Sequence, residues 1–190
     1  MTYLKLENVS DSEKTIEILE STKKGLGFVP NMYVKLGKNT ALLDAYSYSY
    51  HSFRDNAGFT PVEQEVIFLS VAYENNCEYC MGAHSFVADS MSGVPKDKTD
   101  AIRSGKKISD NKLASLSELT RKLTKRRGNV SANDLKHFFE MGYSESHVLG
   151  VIAGIAVKTM SNYSNHLTNP SLDEVFAKRI WKKKDSYTEM

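Results

Sequence analysis

The chain has 190 residues, with 25 lysines and arginines against 23 aspartates and glutamates, for a formal net charge of +2. That near balance gives no reason to expect nucleic acid or an anionic membrane surface as partner. The two cysteines, Cys77 and Cys80, are too few for a disulfide-dense secreted scaffold. The length predicts one domain over residues 1–190, and the ordinary charged fraction of 25% excludes a disordered or fibrous chain.

The opening segment MTYLKLENVS carries neither an apolar stretch nor a small-residue cleavage site, so no secretory leader is expected. The longest apolar run, Val148 to Val157, is about half the ~20 residues of a membrane span and reads as a buried helix. The expected setting is the cytoplasm, where a Cys-x-x-Cys pair is catalytic or metal-binding more often than structural.

Apolar residues recur at three- and four-residue spacing almost throughout, and no run alternates strictly, so the fold class is all-α. A first helix is predicted over Ser12–Lys24, ended by Gly25 and Gly27. Phe28 to Asn31 reads as a turn or extended link. Asn39 caps a helix that stops near Asn56 and Gly58. Thr60, Pro61 and Glu63 are a capping box with proline at the first helical position, and that helix breaks at Asn75-Asn76. The next starts around Cys77 and reaches about Met91. Shorter helices follow over Lys96–Arg103, Lys112–Arg127 (capped by Asp110) and Ala132–Met141 (opened by Ser131). Ser144 opens a long helix to about Leu167, Pro170 closes it, and Leu172–Lys184 is predicted as a last amphipathic helix.

The chemistry concentrates in Glu74 to Ala88, ENNCEYCMGAHSFVA. On a helix begun at Cys77, Cys80 lies three residues on and His84 four further, so the three share one face. Cysteines at that spacing can close a disulfide. A helix N-terminus acts on Cys77 and a nearby imidazole acts on Cys80, both favouring the reactive thiolate. A sulfenic acid on one cysteine can condense with the other thiol, and an outside dithiol restores the pair. Glu65 interrupts the apolar pattern of the preceding helix. It sits either on the wet face or inward, where it would orient the imidazole. Three ligands and a possible fourth are present for a metal, but structural zinc sites use two separated pairs, and there is no second pair; no bound metal or cofactor is expected. The remaining histidines read as surface or packing residues. His166, at the end of the long helix, reads as a helix-end cation or as a pocket or subunit-interface residue.

Glu65, eleven residues, Cys77-Glu78-Tyr79-Cys80, three residues and His84 resemble the active-site signature of the AhpD-like alkylhydroperoxidases, within the carboxymuconolactone decarboxylase superfamily. The resemblance is strongest over about residues 39–105, with helical extensions on both sides. It extends to the Gly27–Asn31 and Asn162–His166 stretches. It implies an all-α helical bundle that forms a homo-oligomer (trimer, hexamer or dimer), and a thiol-dependent peroxidase acting on small hydroperoxides. Cys80 would be the peroxide-reacting thiol, Cys77 the resolving thiol, and His84 and Glu65 a proton relay. The reductant would be a lipoylated or thioredoxin-like protein. One position departs from the pattern: Tyr79 stands where the best-studied relatives carry a second histidine. Two rival classes are a non-redox lyase or decarboxylase using His84 and Glu65, and a thiol redox sensor without turnover.

Overall fold

The computed structural model describes Leu4 and residues 8–183. It is 71% helix, and no strand occurs among the described residues. The helices are α1 Glu13–Leu26, α2 Asn31–Leu36, α3 Thr40–Asn56, α4 Pro61–Glu74, α5 Glu78–Ser90, α6 Lys96–Arg103, α7 Asn111–Lys125, α8 Ala132–Glu140 and α9 Glu145–Thr168.

The caps are those the sequence offers. Ser12, Asn39 and Asp110 accept from the third backbone N–H of α1, α3 and α7. Thr60 and Glu63 form the predicted reciprocal box, and Ser131 and Asp134 form a second. α1 runs through Gly25 and ends only at Gly27, whose φ of 82° closes the helix in the left-handed region.

Two segments differ from expectation. The link after Phe28 is helical from Asn31: Pro30 pre-sets the backbone, and Met32, Tyr33 and Leu36 are buried by the turn and a half that follows. The predicted last helix is a single 3-10 segment, Glu174–Arg179, with non-helical flanks. Its carbonyls are engaged by side chains instead of by a following helical turn. Arg103 donates to the carbonyls of Arg179 and Ile180, and Trp181 Nε1 donates to the Arg103 carbonyl. The predicted end of that helix, Lys184, lies outside the described residues.

α4 is the centre of the bundle. Every residue from Glu63 to Ala72 is buried, and α5, α6, α7 and α9 pack around it. A helix enclosed on all sides carries apolar residues on all faces, hence the run Val66-Ile67-Phe68-Leu69. Asn76, at φ 53°, turns the chain sharply between α4 and α5 and lays them side by side. The first half of α9 approaches closely: a Cβ on Gly154 would stand 2.7 Å from Ile67 Cγ2 and 2.9 Å from Phe53 Cε2. No helix among the described residues is long and apolar enough to cross a membrane.

Candidate active site

The site lies where α3, α4, α5 and α9 meet. Cys77 is the N-cap residue of α5, and Cys80 and His84 follow on its buried face. The two cysteines are reduced and lie 3.6 Å apart. Glu65, in the middle of α4, is fully buried and faces α5: its Oε2 is 2.9 Å from His84 Nδ1. Of the two readings the sequence allowed for Glu65, the inward one is observed.

Burial alone would push Glu65 up. The charge and hydrogen bond of His84, and then those of Arg54, hold it below the usual carboxylate range. Arg54, near the end of α3, binds the other carboxylate oxygen and also the Tyr50 hydroxyl, 2.8 Å away. His84 is held below the usual histidine range, first by burial and then by the Lys158 ammonium. The ring is therefore neutral near pH 7, and an ionised Glu65 fixes the proton on Nδ1. His84 and Cys80 share no direct hydrogen bond among the described residues.

The fourth wall is α9. Ser161 Oγ lies 3.7 Å from Cys80 Sγ, and Asn165 Nδ2 lies 3.3 Å from Cys80 Sγ and 3.6 Å from Cys77 Sγ. Asn162 accepts from Asn75 Nδ2 at 3.0 Å. Lys158, one turn before Ser161, is fully buried. Its Nζ stands 5.3 Å over the Phe68 ring and has no hydrogen-bond partner among the described residues. The same Phe68 ring carries Arg54 at 4.8 Å and His84 at 5.0 Å.

Burial raises the Cys80 thiol. The Cys77 hydrogen bond, the Lys158 charge, His84 and the Ser161 hydroxyl oppose it and hold Cys80 well below the ordinary thiol range. Cys77 is pushed the other way, by its hydrogen bond to Cys80, by burial and by the charge on Cys80. The cap position, which favours Cys77 by the helix dipole, is thus outweighed by local partners.

Tyr79 takes no part in this cluster. Its hydroxyl donates to Asp173 Oδ2 at 2.5 Å and accepts from the Met32 N–H at 3.3 Å. Burial and that carboxylate keep the phenol protonated. The residue between the cysteines therefore ties α5 to α2 and the C-terminal segment.

A cavity of about 590 Å³ opens beside the pair, lined by Cys77, Tyr79, Asn165, His166, Leu172 and Trp181. It reaches Cys77 and not Cys80, and it is lined by His166, which sits in the last turn of α9. A larger cavity, about 700 Å³, lies between Glu74, Lys107 and Arg121 and holds none of the four predicted site residues.

Sequence reasoning named Glu65, Cys77, Cys80 and His84, and the structure brings all four together. It did not name Arg54 or Lys158. The signal for each was its register. Arg54 is one turn beyond Tyr50 on the face that buries Tyr46, and Lys158 continues the buried face of Gly150, Val151, Gly154 and Val157.

No protein-family profile matches the sequence, and no curated protein matches it significantly. Solved structures do match in fold. A peroxidase-related protein of Ralstonia eutropha JMP134, described as an alkylhydroperoxidase AhpD core, superposes with a TM-score of 0.79 at 20% identity, covering 96% of this chain and 97% of the other. A peroxidase-related protein of Silicibacter sp. TM1040 gives 0.77 at 18% identity, covering 92% and 93%. A cysteine-to-alanine variant of the debrominase Bmp8, in complex with 2,3,4-tribromopyrrole, gives 0.75 at 14% identity, covering 94% and 97%. The fold of this chain is that of the AhpD-core, peroxidase-related proteins.

Proposed function

We propose that the protein is a thiol-dependent peroxidase that reduces small hydroperoxides through Cys80 and Cys77. The observation that carries this reading is the placement of Cys80 3.6 Å from a second thiol and one helical turn from an imidazole that Glu65 orients. The Cys80 thiolate attacks the distal peroxide oxygen, the O–O bond breaks, and the departing alkoxide takes a proton to leave as alcohol. The sulfenic acid then condenses with the Cys77 thiol, releasing water and forming the disulfide. His84, with Glu65 behind it, moves the protons across one water to the reacting atoms. The cavity at Cys77 supports that cysteine as the one that meets the reductant, a lipoylated or thioredoxin-like protein whose dithiol is oxidised as the pair is reduced. A cytoplasmic setting, where such dithiols are kept reduced, suits this cycle.

The test is peroxide consumption with dihydrolipoamide as reductant. Wild type turns over; Cys77→Ser gives one turnover and stops; Cys80→Ser gives none. Equal rates for Cys80→Ser and wild type would sink the reading. The reading includes assembly as a homo-oligomer. Tyr48 is 75% exposed on α3, and Leu149 is 69% exposed on α9. Both border one groove, an apolar face of the kind that marks an interface. Light scattering checks this: a particle larger than one chain is expected, and a monomer of 21.3 kDa would contradict it.

A further inference from the structure

Lys158 stands out from the other buried ions of the site. Arg54 and Glu65 neutralise each other, and His84 is uncharged, so neither leaves a net charge behind. Lys158 has no carboxylate and no hydrogen-bond acceptor among the described residues; only the Phe68 ring faces it, at 5.3 Å. An unpaired ammonium buried this deeply is costly, and a single ring face offsets only part of that cost. A nearby anion would offset the rest.

The ionisable groups of the site narrow the choice. Tyr33 of α2 and Tyr46 and Tyr50 of α3 are kept protonated by burial. Glu65 of α4 is shared by Arg54 and His84. On α5, Tyr79 is bonded to Asp173 and Cys77 is held as a thiol. Cys80 remains, and Ser161 and Asn165, on the same face of α9 as Lys158, both reach its sulfur.

We propose that Lys158 is the built-in counter-ion of the Cys80 thiolate, a positioning residue that favours the reduced form of the Cys77–Cys80 pair. Oxidation joins the two sulfurs, removes the thiolate charge and leaves the Lys158 ammonium uncompensated. Reduction takes two electrons from the partner dithiol and one proton, giving Cys77 as thiol and Cys80 as thiolate. A pair whose reduced form is stabilised in this way is the more oxidising one. Recycling by an outside dithiol is thereby favoured.

The inference rests on the reading of Cys80 as the working thiol, but its test uses titration and redox equilibrium and not peroxide turnover. Thiolate absorbance of the reduced full-length protein, followed against pH, should show Cys80 ionising well below the ordinary free-cysteine value of about 8.5. Lys158→Met keeps the length of the side chain and removes the charge. It should slow alkylation of Cys80 at least tenfold at a pH where the wild-type thiol is ionised. It should also shift the reduction potential to more negative values by about 30 mV for each tenfold loss of thiolate stabilisation. Near neutral pH, wild type should take up one proton per two electrons on reduction and the variant two. A folded Lys158→Met protein with wild-type titration and potential overturns the proposal. So does wild-type Cys80 ionising in the ordinary range, a result that needs no variant to fold. A protein that shows this titration yet consumes no peroxide overturns the peroxidase reading and leaves this one standing.

Discussion

The α4–α5 wall and the α9 wall of the site both bury polar side chains, and they satisfy them differently. On the first, the carboxylate is fully engaged: Arg54 pairs with Glu65, whose other oxygen binds the neutral His84 ring. On the second, Lys158 Nζ, Asn162 Nδ2 and Asn165 Oδ1 have no hydrogen-bond partner among the described residues. The closed network fixes geometry, because removing one member leaves another charge buried and unpaired. The open one borders the sulfurs through Ser161 and Asn165 Nδ2, and the sulfur charge changes during a redox cycle, so the Lys158 charge finds its partner in one oxidation state only.

The largest expected effect tests that difference directly. Glu65→Gln leaves Arg54 without its carboxylate, and breaking a buried pair on one side costs about 3–5 kcal/mol. In the oxidised protein, where no thiolate faces it, Lys158→Met removes an unpartnered charge and should leave the unfolding midpoint in urea unchanged or higher. Equal losses in the two variants would erase the distinction between the walls.

Next in size is the seat of α9. Gly154→Ala places a Cβ 2.7 Å from Ile67 Cγ2. Overpacking of this kind costs about 1–3 kcal/mol. Because the helix must shift off α4, Ser161 and Asn165 move with it, and Cys80 alkylation should slow along with the loss in stability. A variant destabilised to this extent with unchanged thiol reactivity would show that the two halves of α9 are independent.

The sequence exposed one wall and hid the other for a physical reason. Glu65, Cys77, Cys80 and His84 fall within one helical hairpin, so spacing alone puts them on facing surfaces. Arg54 and Lys158 reach the same point from other helices. Each reads locally as an ordinary cation: Arg54 near a helix end, and Lys158 just after the apolar run that ends at Val157. Their burial is a tertiary fact. The helix starts were legible because Asn39, Thr60, Asp110 and Ser131 carry their own caps. The C-terminal segment was not, because its backbone is held by Arg103, far away in sequence.

A pH scan sharpens the comparison further. His84 is held below its ordinary value in the folded protein, so on acidification the unfolded chain takes the proton first. The stability that a neutral His84 contributes is whole above about pH 6.5 and is lost as the pH falls below it. Glu65 is also depressed when folded, so its share is present above about pH 4.3 and is lost as the pH falls toward its folded value. Both losses lie on the acid side. Chemical denaturation of His84→Gln should show a shallower acid slope, by up to about 1.4 kcal/mol per pH unit for one proton. An unchanged slope would mean that His84 takes its proton as readily in the folded protein as in the unfolded chain, and that burial does not hold it neutral.

The smallest effect concerns Tyr79. Tyr79→Phe deletes the hydroxyl that joins Asp173 and the Met32 N–H. Asp173 keeps the Asn31 N–H at 3.1 Å, so the carboxylate is not stranded, and a loss of about 1–2 kcal/mol is expected. Neither cysteine is hydrogen-bonded to the phenol, so Cys80 should ionise and alkylate at wild-type pH and rate. The variant thus separates the residue's place between the cysteines from its contacts. If thiol reactivity falls while stability hardly changes, Tyr79 belongs to the chemistry after all.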